Sequence, residues 1–234
     1  MRLINRRPGR ALAVFLALVP FVALLMAYAV ASEIRLAANP SDRMLPSLGT
    51  LGETAARLFT EGDRRTGEIL LWKDTWASLA RLAAGAGIAA LTGLVSGLLV
   101  GLLPHVRATL GTFVAVVSMI PPLAILPILF IVFGLGETSK VALIVLGITP
   151  VIVRDMSQRV LELPRELIVK AETLGASSLV VALRVALPQV MPRLIQAVRL
   201  GLGPAWLFLI AAEAIASEAG LGYRIFLVRR YLAM

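Results

Sequence analysis

Side chains able to do chemistry are sparse in this sequence, and their types exclude most catalytic schemes. Glu213 is the single acid within the apolar spans described below. An ionisable group at membrane depth is a functional candidate by default, so Glu213 either lines a pathway or makes a structural hydrogen bond near the outer interface. The lysines are Lys73, Lys140 and Lys170, none of them after a glycine, so the chain has no P-loop with which to hydrolyse ATP. A single histidine, His105, cannot build a two-histidine zinc motif; it sits in a short polar break and reads as an ordinary loop residue. No G-x-S-x-G elbow is present. The absence of cysteine excludes a disulfide framework and a thiolate metal site. The expectation is a chain with no catalytic residue, no metal site and no cofactor of its own.

Such a chain must serve by position rather than by reaction, and its composition says where. Of 234 residues, 59% are hydrophobic and 16% charged, with mean hydropathy +0.88. That surplus of apolar surface calls for lipid as the solvent. The formal charge of +9 sits between apolar runs, as membrane-flanking charge in contact with lipid headgroups, and does not suggest nucleic acid.

The elements follow from hydropathy. A basic start, Arg2, Arg6, Arg7 and Arg10, precedes an apolar run from Ala11 to Ala31, close to the ~20 residues that span hydrocarbon. A signal peptide has a similar outline, but no small-x-small cleavage site followed by a secreted-type domain is evident. Residues 1–31 therefore read as a cytoplasmic amino terminus and a retained first span. Residues 32–81 form a polar extracytoplasmic segment carrying a short interfacial helix near Thr54–Thr60. Residues 82–234 form the core, with further spans near Leu82–Leu103, Leu110–Phe133, Val141–Val153 and Leu200–Ile215. Pro121, Pro122 and Pro127 interrupt the third span, which places it inside a bundle where freed carbonyls find partners. Five spans put the carboxyl terminus outside. The fold expected is an all-α polytopic transmembrane bundle.

Small residues at Gly85, Ala89, Gly93, Gly97 and Gly101 recur every fourth position, so one helix face admits close approach of a neighbour. Between the fourth and fifth spans, residues 154–199 are amphipathic and basic, and alternation of spans puts them in the cytoplasm. Within them, Leu161, Leu163, Leu167, Ile168, Ala171 and Leu174 give one apolar face. Gly175 suits a left-handed helix stop, Ser177 or Ser178 caps a second helix, and Pro188 ends it. A bent helix pair of this kind suits docking into a groove on a soluble partner.

The segment Val169-Lys170-Ala171-Glu172-Thr173-Leu174-Gly175, nine residues, then Val185-Ala186-Leu187-Pro188 resembles the cytoplasmic EAA loop of binding-protein-dependent ABC importer permeases. That pattern is Glu-Ala-Ala, three residues, Gly, nine residues, Ile, one residue, Leu-Pro. Ala171, Gly175, Leu187 and Pro188 match, Val185 stands for Ile, and Val169 and Lys170 depart from the opening triplet. Ile120–Gly136, Leu174–Ser177 and Gly220–Tyr223 are similar to the nitrate/sulfonate/taurine branch, and the carboxyl-terminal stretch is similar to permeases associated with urea carboxylase systems. The resemblance covers residues 75 to 234. It implies the type I importer permease (MetI-like) fold in a bacterial inner membrane, with Ala171, Gly175, Leu187 and Pro188 at the contact with a separate ABC ATPase. It further implies a second permease copy, a periplasmic or extracellular solute-binding protein, and ATP and Mg²⁺ used by the ATPase partner. The cargo implied is nitrate, a sulfonate, taurine, or a urea- or guanidine-like compound. A membrane-embedded enzyme would need a nucleophile–base set, and an ion-coupled secondary transporter inverted repeats; neither is seen in the sequence.

Overall fold

A computed structural model describes residues 8–40, 42, 44–63 and 66–230, and every regular element among them is helical. The chain divides into two units, residues 1–70 with 228–234, and residues 71–227.

In the first unit, α1 (Arg10–Ala38) is a 29-residue helix whose apolar stretch is exposed throughout. The apolar run ends near Ala31, but the helix continues to Ala38 because the chain then folds back on its last turns. Tyr28 Oη donates to the Pro46 carbonyl at 2.8 Å, and Ser32 Oγ lies 3.0 Å from the Leu45 carbonyl oxygen. Just beyond α1, the Met44 N–H and the Arg35 guanidinium donate to the Asp42 carboxylate and hold its pKa below the usual carboxylate range. Ser47 then caps α2 (Leu48–Thr60), accepting from the Thr50 N–H at 3.1 Å. The helix begins earlier than the interfacial segment expected near Thr54.

The second unit is built around α3 (Leu70–Leu102). This helix starts at Leu70 rather than Leu82, so most of residues 70–81 belong to the core and not to a polar connector. Its 33 residues reach roughly 50 Å at 1.5 Å each, well past a hydrocarbon layer of about 30 Å. The stripe of small residues lies against α6 (Glu137–Leu161). A Cβ added to Gly85 would stand 2.7 Å from Ile144 Cβ, one on Gly93 2.5 Å from Ile152 Cγ2, and one on Gly101 2.5 Å from Val160 Cβ. Gly97 abuts Met156 in the same way. Both sets of partners ascend together, so α3 and α6 run parallel and almost backbone to backbone. α6 is longer than the span expected at Val141–Val153.

Between them, α4 (Pro104–Val117), a 3₁₀ turn (Pro122–Ile125) and α5 (Leu126–Phe133) form a broken path bent by 85°. The bend falls at Pro121–Pro122, where missing N–H donors interrupt the helical ladder. His105 lies in the first turn of α4 rather than in a loop, and Arg107 Nε donates to the Val100 carbonyl at 3.1 Å, capping the end of α3. Four described helices are long and apolar enough to cross a membrane, or five if the bent pair is one span.

After α7 (Arg165–Thr173), one helical rod runs from Ser178 to Ile215, through α8 (Ser178–Val180), a π segment (Val181–Ala186) and α9 (Leu187–Ile215). Pro188 therefore does not end a helix, as its sequence position suggests. The π segment widens the preceding turn, with the Leu187 N–H donating to the Ala182 carbonyl, and the ring is accommodated without a stop. Beside it, the Gln189 side-chain amide donates to the Val185 carbonyl at 2.9 Å. α9 packs antiparallel to α6, where Gly201 faces Ile148 and Gly147 faces Phe208. α10 (Leu221–Arg230) follows a tight turn.

The α3–α6 seam makes a direct prediction. Gly97→Val must displace Met156 and crowd the Val153 carbonyl, at a cost on the order of 1–3 kcal/mol. The variant should lower both the yield of monodisperse protein in detergent and its unfolding temperature. Gly87→Ala on the same helix meets nothing within 4 Å and should change neither. Equal behaviour of the two variants would remove close packing as the reason for the stripe.

Candidate functional site

Two polar constellations stand toward opposite ends of the second unit. The first is the connection between α6 and α9. α7 closes in a Schellman turn, the motif in which a left-handed residue folds the chain back on its own helix. The Gly175 N–H donates to the Glu172 carbonyl at 2.9 Å and the Ala176 N–H to the Ala171 carbonyl at 3.0 Å. Gly175 has φ +83° and open space around it. Its requirement is conformational, since a side chain there would fit but its backbone would be strained. Ala171 thus supplies the carbonyl and Gly175 the left-handed joint of one turn. Ser177 then caps α8, its hydroxyl accepting from the Val180 N–H.

The turn reverses the chain so that α7 packs against the π segment. Ile168 and Ala171 are half-buried there, while Leu161, Leu167 and Leu174 of the expected apolar face point to the surface. The helix is too short to bury the whole stripe and presents two faces. Leu174 is 88% exposed and Leu179, just past the turn, 68%. Leu187 is half-buried and Pro188 exposed in the rod that follows. The structure thus brings Ala171 and Gly175 into one turn and sets Leu187 and Pro188 on the adjoining rod.

The second constellation is an ionic cluster joining the starts of α3 and α6 to the end of α9, buried at Asp74, Arg81, Lys140 and Glu213 and exposed at Glu137. Glu213 is completely buried. Arg81 Nη1 donates to its Oε1 at 2.6 Å, and the Ser78 hydroxyl lies 2.8 Å from the same oxygen as a further donor. The Gly222 N–H donates to Oε2 at 2.9 Å. Arg81 uses its remaining donors on Glu137 and on the Ala219 carbonyl, 2.7 Å away. Lys140 reaches Glu137 at 3.2 Å. Asp74, also buried, accepts from the Gly220 N–H at 2.9 Å and from Arg224 Nε at 2.6 Å. Three carboxylates thus meet three cations, and the turn at Gly220–Gly222 offers its backbone N–H groups to two of the acids. A Cβ on Gly220 would stand 2.5 Å from the Glu213 carboxyl carbon, so Gly-Leu-Gly-Tyr is a cradle for carboxylates.

Of the two roles open to Glu213, this geometry favours the structural one. Its oxygens are engaged by protein donors, and it is absent from the lining of a groove of about 270 Å³ between α6 and α9, where Asp155, Arg159 and Gln196 lie. Gly93, Gly97 and Gly101 have the packing contacts described above. Sequence reasoning missed Asp74, Ser78, Arg81, Glu137, Lys140 and Arg224. A signal was present: Asp74, Ser78 and Arg81 continue the stripe of Gly85, Ala89 and Gly93 toward the amino end, and all are buried. Polar residues in register with a packing face are core residues in need of partners.

The second unit is thus a helical bundle with a glycine-sealed seam and a Schellman-hinged loop between its last long helices. The family model for the binding-protein-dependent transport system inner membrane component matches residues 89–233. The chain belongs to that family, a family of non-catalytic inner-membrane subunits. Relatives include the taurine transport system permease protein TauC of Escherichia coli, 38% identical over 70% of this chain and 59% of the relative. The bicarbonate transport system permease protein CmpB of Synechococcus elongatus is 32% identical over 72% of this chain and 65% of the relative. The putative aliphatic sulfonates transport permease protein SsuC of Escherichia coli is 32% identical over 53% of this chain and 47% of the relative. The chain spans less than two thirds of the length of each. Among solved structures, a chain of the MetNI methionine ABC transporter in an inward-facing conformation matches with TM-score 0.59 and 23% identity, over 68% of this chain and 79% of that one. The fold is the type I importer, MetI-like fold.

Removing one member of a buried ion pair strands the other, which costs on the order of 3–5 kcal/mol. Glu213→Ala and Arg81→Ala should each lower the unfolding temperature of the detergent-solubilised protein markedly, with Glu213→Gln milder. The double variant should lose clearly less than the sum of the two single losses. Strict additivity would show that the pair is not coupled.

Proposed function

We propose that this chain is the permease subunit of an ATP-binding cassette importer, forming the translocation pathway and coupling to a separate ATPase through residues 165–188. The observation that carries this reading is the Schellman turn at Ala171–Ala176, which holds Leu174 outward at the tip of a short loop. An exposed leucine on a geometrically fixed loop is suited to a preformed groove on a soluble protein. The loop sits where α6 ends and α9 begins, so a pull on it acts on both helices. The ionic cluster ties the far ends of these helices to α3, and the rods between should move as stiff levers. ATP-driven closure of two ATPases would then switch the bundle between outward- and inward-facing states.

The same reading assigns ATP and Mg²⁺ to the ATPase partner, a second permease copy to the other half of the pathway, and delivery to an external solute-binding protein. The family description, binding-protein-dependent transport, supports the last assignment. For cargo we propose a small polar solute bearing an anionic group; the relatives named for taurine, aliphatic sulfonates and bicarbonate favour it.

The left-handed joint supplies the test. Gly175→Val strains the turn by on the order of 1–2 kcal/mol, and an added Cβ there meets nothing within 4 Å, so the spans should still assemble. After reconstitution with its ATPase and binding protein, the variant should show normal membrane insertion but weakened ATPase copurification, or hydrolysis that no longer responds to loaded binding protein. Full copurification with full stimulation would defeat the coupling assignment.

A further inference from the structure

We propose that α2 lies flat in the bilayer interface with its apolar face inserted among lipid acyl chains, as a paddle fixed to the end of the first span. Leu48, Leu51, Ala55 and Leu58 share one arc of this helix, while Thr50, Glu53 and Arg57 occupy the opposite arc. No residue of α2 is buried, and Leu48, Leu51 and Leu58 are 45%, 42% and 50% exposed.

What places lipid on that face is the clamp to α1. Tyr28 Oη and Ser32 Oγ lie 2.8 Å and 3.1 Å from the Pro46 carbonyl oxygen, and Ser32 also reaches the Leu45 carbonyl. Pro46 immediately precedes Ser47, the cap of α2. The start of α2 is therefore pinned beside Tyr28–Ser32, the turn at which the apolar run Ala11–Ala31 gives out. A bilayer that covers this exposed run puts its headgroup boundary at that turn, where a tyrosine is at home. α2 starts at the same depth, and its leucines are exposed rather than packed on protein. The charges of its polar arc, Glu53 and Arg57, cancel, so apolar burial rather than attraction to anionic lipid holds the helix. The inference requires only that the chain reside in a bilayer and is independent of cargo and coupling.

The chain contains no cysteine, so single cysteines can carry a nitroxide label without background. The full-length protein is placed in phosphatidylcholine nanodiscs with a label at Leu48→Cys, Thr50→Cys, Leu51→Cys, Glu53→Cys, Arg57→Cys or Leu58→Cys. These positions are all exposed, so the labels are tolerated by the fold. Collision rates with oxygen, which partitions into lipid, are compared with those of a water-soluble nickel chelate. The expected result is several-fold higher oxygen and lower nickel accessibility at 48, 51 and 58, reversed at 50, 53 and 57. Nickel access at all six positions would show a helix standing in water. Exclusion of both reagents at 48, 51 and 58 would show a face covered by protein, a second copy included. Either of these outcomes overturns the proposal.

Discussion

The burial of Glu213 beside Arg81 is the constraint on which the second unit turns. A carboxylate and a guanidinium removed from water demand partners on every free lone pair and proton. The fold meets that demand with Ser78 from α3, Glu137 from α6, the Ala219 carbonyl before α10 and the Gly222 N–H at its start. These partners come from different stretches of chain, so satisfying the pair ties α3, α6 and the end of α9 together. In lipid, apolar faces gain little by meeting one another, and such polar ties decide which helices are neighbours.

The glycine seam is the second half of the same solution. Once Arg81 has locked the first turns of α3 to α6, the helices can stay together only if nothing protrudes between them. Gly85, Gly93, Gly97 and Gly101 remove the side chains on one wall, and Ile144, Ile152, Met156 and Val160 fill the space from the other. The result is a closely packed pair of helices running from the ionic tie toward the opposite end of the unit. The loop is held to this frame by the backbone joint at Gly175 and by the packing of Ile168 and Ala171 on the π segment, while Leu174 at its tip stays exposed.

Much of this was legible in the residues, and what was not has physical reasons. The four-residue spacing of small side chains is a local signal and pointed correctly to a packing face. Gly175 followed by a serine cap marked a left-handed helix end, because both requirements fall within a few neighbouring positions. Pro188 misled, since a missing N–H breaks a regular α ladder but not one that widens into a π turn first. The partners of Glu213 were invisible because Ser78 and Arg81 lie 135 and 132 positions away, and pattern reading does not reach across that distance. Residues 70–81 read as connector because their charges lower hydropathy; Asp74 and Arg81 among them find their ion-pair partners only after folding.

The proposed coupling rests most directly on Leu174, the most exposed large hydrophobic side chain of the loop at 88%. The decisive measurement places Leu174→Cys in the otherwise cysteine-free chain and cross-links it, with a short thiol-reactive reagent, in membranes containing the cognate ATPase. The account predicts an efficient adduct with the ATPase subunit, lost when Gly175→Val is added. An adduct-free Leu174→Cys, in membranes where the permease and ATPase demonstrably copurify, would contradict it.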